Sequence, residues 1–169
     1  MTNAARRMQC DNIGLNYELR TIAFYKAKGC KVIKASTFEN KYHKYDLIID
    51  ENPVDVKANK FGGFCIEYTD ISGHPGWIRA GAKYFVFWVS YTKHFVVEQK
   101  RFFEWICKHP RIGLPPSNPP VGKARQFGNY KWFTRTNRLD IIIMLPKSIM
   151  NEFAAAEPKA CREVDVIGL

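Results

Sequence analysis

Hydrophobic and polar positions change their spacing along the chain, and each spacing predicts a different element. Over residues 12–28, apolar side chains recur every three or four positions, which predicts an amphipathic first helix, with Gly29 as its left-handed cap. A short strand over residues 31–33 and a polar loop over 36–44 follow. The chain therefore begins with a helix that leads into short strands.

Short apolar runs separated by turn residues predict a compact β region next. Residues 45–49 and 54–57 flank the turn residues 50–53, so we expect a hairpin. Gly62 and Gly63 make a second tight turn, and residues 64–69 supply a third strand antiparallel to the second. The three strands together predict a meander.

The second half of the chain mixes strands, helices and a long connection. Residues 71–83 contain Gly73, Pro75 and Gly76 and predict a loop with at most a short helix. A proline-rich connection covers residues 114–120. Strands are predicted over residues 84–90, 94–97 and 140–145, and helices over 98–108 and 146–156.

These elements indicate one α/β domain over residues 1–169. A chain of this length that is 46% hydrophobic and 14% aromatic can bury one core. We expect a central mixed β-sheet with a three-stranded antiparallel meander, flanked by helices. The core covers residues 12–90, and a basic aromatic extension covers 98–157. Mixed charges after Pro158 indicate a mobile end or a small contact with a partner.

Charge and cysteine content narrow the functional class. Lys and Arg number 26 against 16 Asp and Glu, giving a net charge of +10 that favours a polyanionic partner, with nucleic acid first. A basic surface without such a partner is an equal alternative on charge alone. The five cysteines contain no CxxC pair, and the longest aliphatic run, 141–145, is too short to span a bilayer. We expect a cytoplasmic or nucleoid-associated protein with no membrane contact.

The first hairpin brings two acids and a lysine to one face. If the turn uses residues 50–53, Ile49 faces Val54 and Asp46 faces Lys57. Because strand side chains alternate, Asp46, Asp55 and Lys57 then share a face. The opposite, buried face is formed by Leu47, Ile49, Val54 and Val56.

Two carboxylates on one face repel each other unless a cation or a proton lies between them. Hard oxygen ligands with room for water suit Mg²⁺, and Mn²⁺ is expected to substitute. Lys57 would orient or help deprotonate a metal-bound water and offset charge in phosphodiester attack. The alternative is a surface hairpin in which Lys57 pairs with Asp46 or Asp55, worth roughly 0.2 to 1 kcal/mol.

The arrangement of these residues resembles the PD-(D/E)XK nuclease superfamily, whose core is a helix, a three-stranded meander, a helix and a further strand. The resemblance covers residues 12–90, and the lysine motif reads D-V-K. It implies that Asp46 and Asp55 are the metal-binding acids and that Lys57 is the motif lysine. It also implies metal-dependent phosphodiester hydrolysis. Glu18 on the first helix resembles a glutamate that reaches the metal in several branches, with a solvent-facing charge as an equal alternative; Glu67 ranks below it.

The last third of the chain offers candidate DNA contacts. Basic residues alternate there with aromatic residues that could stack on bases, unless those aromatics form a second core layer. Lys44 and His74 flank the proposed metal site, as do Lys41 and His43. The basic residues are Lys123, Arg125, Lys131, Arg135 and Arg138, and the aromatic residues are Phe127, Tyr130, Trp132 and Phe133.

The function expected from these observations is a DNA endonuclease of restriction, homing or Holliday-junction-resolving type. Because one active site cuts one strand, cleavage of both strands would require a homodimer or a higher homo-oligomer. Alternatives are a noncatalytic DNA-binding protein and an exonuclease or repair nuclease with the same chemistry. RNA also stays open as a substrate, since no feature of the sequence reads a 2′-hydroxyl.

Overall fold

The computed structural model describes residues 3–58, 63–123, 126 and 128–166, with side chains from residue 12 onward. Within these ranges the chain forms three α-helices and nine strands. The predicted turn residue Gly62, the basic residue Arg125 and the aromatic residue Phe127 lie outside the described residues.

The helices and strands have the following bounds. The α-helices are α1 Asn3–Ala27, α2 Gln99–Lys108 and α3 Ile149–Ala156. The first six strands are β1 Val32–Lys34, β2 Leu47–Ile49, β3 Asn52–Ala58, β4 Gly63–Thr69, β5 Tyr84–Ser90 and β6 Lys93–Glu98. The last three are β7 Trp132–Thr134, β8 Ile141–Pro146 and β9 Cys161–Asp165.

The strands form two sheets. A six-stranded mixed sheet has the order β1-β2-β3-β5-β6-β9, in which β3 and β5 are parallel and the other neighbours are antiparallel. A second, antiparallel sheet has the order β4-β8-β7. The predicted α/β class and the mixed sheet are confirmed.

The predicted partner of β4 was wrong. β4 pairs antiparallel with β8 and not with β3, so the antiparallel meander consists of β1, β2 and β3. Phe64 and Ile66 of β4 are fully buried, and Phe64 packs against Phe87 of β5 with ring centroids 4.8 Å apart. β4 therefore covers the six-stranded sheet as part of a second layer, and β5 takes the position beside β3.

Two hydrophobic clusters lie on opposite faces of the six-stranded sheet. On one face, Phe24 and Tyr25 of α1 pack on Val56 and Trp88. On the other face, the second sheet, α2 and α3 pack on side chains such as Phe87. Since β3 and β5 alternate between the two clusters, each face of these strands has a distinct environment.

Most of the other predicted elements are confirmed. α1 ends where Gly29 adopts a positive φ of 82°, although the helix begins near the start of the chain. β5, β6, β8, α2 and α3 are present, and a 3-10 turn, Trp77–Arg79, is the only helix in the 71–83 loop. No helix in the described part of the chain is both long and apolar enough to cross a bilayer.

Two further predictions were wrong. The polar loop before β2 contains a π-helix, Glu39–His43, which ends where Lys44 adopts a left-handed φ of 58°. The described part of the tail after Pro158 is not a mobile end, because β9 pairs antiparallel with β6, and Cys161 and Val166 are buried. Without β9, the backbone groups along that edge of β6 would have no strand partner.

Candidate functional site

The first hairpin turns more tightly than predicted. Ile49 pairs with Asn52 and Leu47 with Val54, so the register differs by two residues from the prediction. The turn itself is Asp50 and Glu51, whose φ values of 45° and 69° match a two-residue hairpin turn with both residues left-handed. Because the shift is an even number of residues, every side chain keeps its predicted face.

The predicted separation of faces is confirmed. Leu47, Val54 and Val56 are buried in the cluster under α1. Asp55 and Lys57 point away from that cluster, toward the second layer of the molecule. The hairpin therefore delivers its charged side chains to one face, as the alternation of the sequence indicated.

Asp55 and Lys57 form a largely buried ion pair. The Asp55 side chain is 2% exposed, and its Oδ2 lies 2.7 Å from Lys57 Nζ. The contact is an ion pair without hydrogen-bond geometry, so the buried Oδ2 has no hydrogen-bond partner. The Lys57 ammonium also lies 4.7 Å from the centroid of the Trp77 ring, a cation–π contact. Lys57 is thereby held between a carboxylate and an aromatic face.

Asp46 precedes β2 and is fixed by two hydrogen bonds. The backbone N–H of Val56 donates to its Oδ2 at 2.8 Å, and Asn40 Nδ2 donates to its Oδ1 at 2.7 Å. The first bond ties the acid to β3, and the second ties it to the π-helix. Asn40 was missed at the sequence level because one asparagine in a polar loop carries no distinctive signal.

The site places two acids beside one lysine, and burial and neighbouring charges shift the pKa values of Asp55 and Lys57. Burial raises the pKa of Asp55 well above its usual value; Lys57 lowers it, but Asp46 raises it again. Burial lowers the pKa of Lys57, but Asp55 and Asp46 outweigh burial, so the net shift is upward. One cationic lysine therefore faces two carboxyl groups, and an additional cation or a proton would relieve their repulsion.

Glu18 and Glu67 border the same group from different elements. Burial and the charge of Asp46 raise the pKa of Glu18, although Lys34, 3.8 Å away, lowers it. Burial likewise raises the pKa of Glu67, which Lys57 lowers. Glu18 is therefore a half-buried neighbour of Asp46 and not an isolated solvent-facing charge.

The carboxyl groups of Asp46 and Asp55 could supply two of the oxygen ligands that Mg²⁺ prefers. Within the described ranges, no three His, Cys, Asp or Glu side chains lie close enough to hold a metal ion. Mg²⁺ commonly binds through only one or two carboxylates and retains several waters. Asp46 and Asp55 supply such a pair, and Lys57 Nζ lies 2.7 Å from Asp55 Oδ2, where it would be a neighbour of the ion.

Lys44 and His74 converge on Asp70. Lys44 Nζ lies 3.2 Å from Asp70 Oδ2, and His74 Nδ1 lies 3.8 Å from Asp70 Oδ1. The Lys44 charge also lowers the pKa of Glu67, so this group adjoins the acidic site. The His74 side chain is exposed and accessible to a substrate.

The basic residues of the last third are divided between two environments. Arg135 forms a two-pronged contact with the buried Asp140, so part of its charge is already neutralised. Lys123, Lys131 and Arg138 are exposed. Of the five predicted cations, these three are therefore seen on an open surface. Arg135 is paired with Asp140, and Arg125 lies outside the described residues.

The aromatic residues of this stretch belong mainly to the core. Trp132 and Phe133 are buried, and the Trp132 Nε1–H donates to the carbonyl of Gly113 at 3.1 Å. Tyr130 is half-buried, and its hydroxyl donates to Glu152 at 3.3 Å. The alternative of a second core layer was therefore right for Trp132 and Phe133, which cannot stack on bases.

Comparisons of the chain with protein-family models, curated proteins and solved structures gave no match.

Proposed function

We propose that this protein is a divalent-metal-dependent endonuclease that hydrolyses phosphodiester bonds in DNA. The observation that carries the proposal is the buried Asp55 carboxyl, which faces a second acid, Asp46, and has the Lys57 ammonium beside it. A buried excess of carboxylates is costly for folding, so a functional role is the simplest reason for it.

The order of the elements supports this proposal. α1 precedes the antiparallel strands β1, β2 and β3, and β5 then joins the sheet parallel to β3. Asp46 stands at the start of β2, and the D-V-K motif lies on β3. This order resembles that of the PD-(D/E)XK core, but the crossover from β3 to β5 contains β4 and a 3-10 turn where that core has a helix.

Each residue of the site has a role in the proposed reaction. Asp46 and Asp55 would hold Mg²⁺, with Glu18 beside Asp46. When bound, the ion would polarise a phosphate oxygen and make bound water more acidic. The raised pKa of Lys57 keeps its ammonium charged, so it suits orienting the attacking water and offsetting developing negative charge. The Trp77 ring restricts where that ammonium can move.

The surface charges fit a DNA substrate. The chain has a net charge of +10, and Lys123, Lys131 and Arg138 are exposed and can contact phosphates. His74 offers a further contact next to the site. Cleavage of both strands would require two copies of the chain, so we expect a homodimer or a higher homo-oligomer.

A noncatalytic DNA-binding protein is the second candidate. Lys57 and Asp55 form a close ion pair without a metal, at 2.7 Å, as expected if the pair only stabilises the hairpin. This function needs the same basic surface but no metal. Metal-dependent cleavage therefore separates the two candidates.

The test is incubation of wild type and Lys57→Ala with supercoiled, linear and branched DNA, in Mg²⁺ or in chelator. We expect Mg²⁺-dependent cutting by wild type that Lys57→Ala loses while it still binds DNA. Lys147→Ala, a matched change at an exposed lysine, should cut like wild type. Equal DNA binding by all three proteins with no cutting of any form would favour the noncatalytic function.

A further inference from the structure

Two exposed aromatic rings lie on the segment that leads into the proposed site. Phe38 and Tyr42 are 62% and 59% exposed, and their ring centroids are 4.8 Å apart. Neither ring packs on the two hydrophobic clusters described above. Single exposed aromatic residues are ordinary, but an adjacent pair forms a continuous apolar surface that suits a partner.

The segment that carries the two rings is well ordered by local hydrogen bonds. Ser36 and Glu39 cap each other: the Ser36 N–H donates to Glu39 Oε2 at 2.8 Å, and the Glu39 N–H donates to Ser36 Oγ at 3.2 Å. The Tyr45 hydroxyl donates to Glu39 Oε1 at 2.6 Å, which lowers the pKa of Glu39 to about 2. The ring pair is therefore held in place before any partner binds.

The same segment also holds a proposed metal-binding acid. Asn40 lies between Phe38 and Tyr42 in the chain, and its Nδ2 donates to Asp46 Oδ1 at 2.7 Å. One short helical segment thus presents aromatic rings to solvent and positions Asp46 on its other side. A group stacked on the rings would therefore be bound by the same segment that positions Asp46.

The charges around the rings favour a nucleic acid over an apolar peptide. Lys41 Nζ lies 5.1 Å from the centroid of the Tyr42 ring, and Lys41 is itself exposed. Cations interleaved with exposed aromatic rings are typical of surfaces that bind unstacked bases and their phosphates. In a continuous duplex both faces of each base are covered by neighbouring bases. An unpaired base has a face available.

We propose that Phe38 and Tyr42 form a stacking platform for an unpaired DNA base, on the same segment that positions Asp46. The inference depends on the proposed function and narrows its substrate class to DNA that contains bulged, mismatched or branched positions. It also gives a reason for the π-helix, which aims Asn40 at Asp46 and the rings at the substrate.

The test compares binding of two DNAs in chelator, so that no cleavage is needed. One is a continuous duplex, and the other is the same duplex with a single unpaired 2-aminopurine. The main variant is Phe38→Leu with Tyr42→Leu, which keeps apolar bulk and removes both rings. Phe38→Tyr with Tyr42→Phe keeps both rings and is the rescue variant. Tyr91→Leu removes a ring that is 58% exposed elsewhere on the surface and is the matched control.

We expect the leucine variant to lose roughly ten- to a hundredfold in affinity for the DNA with the unpaired base, and less than about threefold for the duplex. Wild type, the rescue variant and Tyr91→Leu should quench 2-aminopurine fluorescence on binding, and the leucine variant should not. Equal losses on both DNAs, or unchanged quenching by the leucine variant, would overturn the platform.

Cleavage separates this inference from the function on which it depends. If wild type cuts DNA with Mg²⁺ but prefers the continuous duplex, the endonuclease proposal stands and the platform is overturned. If wild type cuts neither DNA, the endonuclease proposal fails. Ring-dependent binding in chelator would then still assign base stacking to Phe38 and Tyr42.

Discussion

Two buried polar clusters on opposite faces of the six-stranded sheet differ in whether they contain charged groups. Under α1, Trp88 Nε1 donates to Thr21 Oγ1 at 2.8 Å, and the Tyr25 hydroxyl lies 3.4 Å from His94 Nε2. On the other face lie Asp55 and Lys57. Each cluster contains one buried side-chain atom without a hydrogen-bond partner: His94 Nδ1 under α1, and Asp55 Oδ2 on the other face. The described residues contain no other such atom.

In the first cluster, the buried titratable group, His94, is neutral. Burial, and then Arg162, lower the pKa of His94 to about 4, so the ring is uncharged at neutral pH. Its cost is a single missing hydrogen bond. Burial and Asp46 also raise the pKa of Asp55 and favour its neutral form, but Lys57 opposes them and itself stays charged beside the buried acid. The comparison indicates a structural role for the neutral cluster and a functional role for the charged one.

The largest expected effect of this difference is on catalysis. Lys57→Ala should reduce the rate of Mg²⁺-dependent DNA cleavage by roughly a hundred- to a thousandfold, because it removes a positive group aimed at developing charge. His94→Phe alters the neutral cluster and should leave the rate within about threefold of wild type at a temperature where both are folded. Comparable losses in the two variants would mean that both act through folding.

The next effect is acid destabilisation through His94. Because its pKa is lower in the folded protein, its contribution to stability is present above about pH 6.5 and is lost as the pH falls toward 4. The loss should amount to about 3 kcal/mol of unfolding free energy. Urea denaturation at a series of pH values would measure it, and the slope over this range should fall in His94→Phe. An unchanged slope in that variant would assign the acid sensitivity to other groups.

The pH dependence of stability that comes from Asp55 should have the opposite sign to that from His94. Because the pKa of Asp55 is raised in the folded protein, its contribution is present below its unfolded pKa, near 4, and is lost as the pH rises through the folded value. The double variant Asp55→Asn with Lys57→Met should therefore be more stable than wild type at pH 7, by about 1 to 2 kcal/mol. Lys57→Met alone should be destabilised. If the double variant were less stable than both wild type and Lys57→Met, the Asp55–Lys57 pair would be shown to stabilise the fold.

The smallest effect is expected at Asn40, which positions Asp46 through one hydrogen bond. Asn40→Ala should weaken Mg²⁺ affinity by roughly tenfold, as losses of residues that orient metal ligands commonly do. Asn40→Asp keeps the size of the side chain but removes its donor and should weaken the orientation similarly. Asn151→Ala, far from the site in the chain and on α3, is the control. Unchanged affinity in Asn40→Ala would remove Asn40 from the site.

The sequence was sufficient to predict the charged face of the hairpin but not the turn. Alternation assigned Asp55 and Lys57 to one side, and an error of two residues in the register left that assignment intact. Asp50 and Glu51 adopt positive φ values without a glycine, so the composition of the turn did not reveal its length. Local patterns therefore fixed the side of the sheet and not the pairing.

Nonlocal contacts were the part that could not be predicted. The alternation of Phe64 and Ile66 would be the same beside β3 or beside β8, so periodicity could not choose the partner of β4. The contact of Lys57 with Trp77 likewise joins residues on different elements. The tail was misjudged because the charged residues of β9 alternate at an exposed edge and hide the strand that buries Cys161.

The Asp46 and Asp55 pair is expected to bind a divalent cation. Titration calorimetry of Mg²⁺ into wild type, Asp55→Asn and His94→Phe, in two buffers of different ionisation enthalpy, tests it directly. We predict one site per chain in wild type and His94→Phe, with proton release on binding because the pKa of Asp55 is raised, and no such site in Asp55→Asn. Equal Mg²⁺ binding in all three proteins, or none in wild type, would contradict the claim.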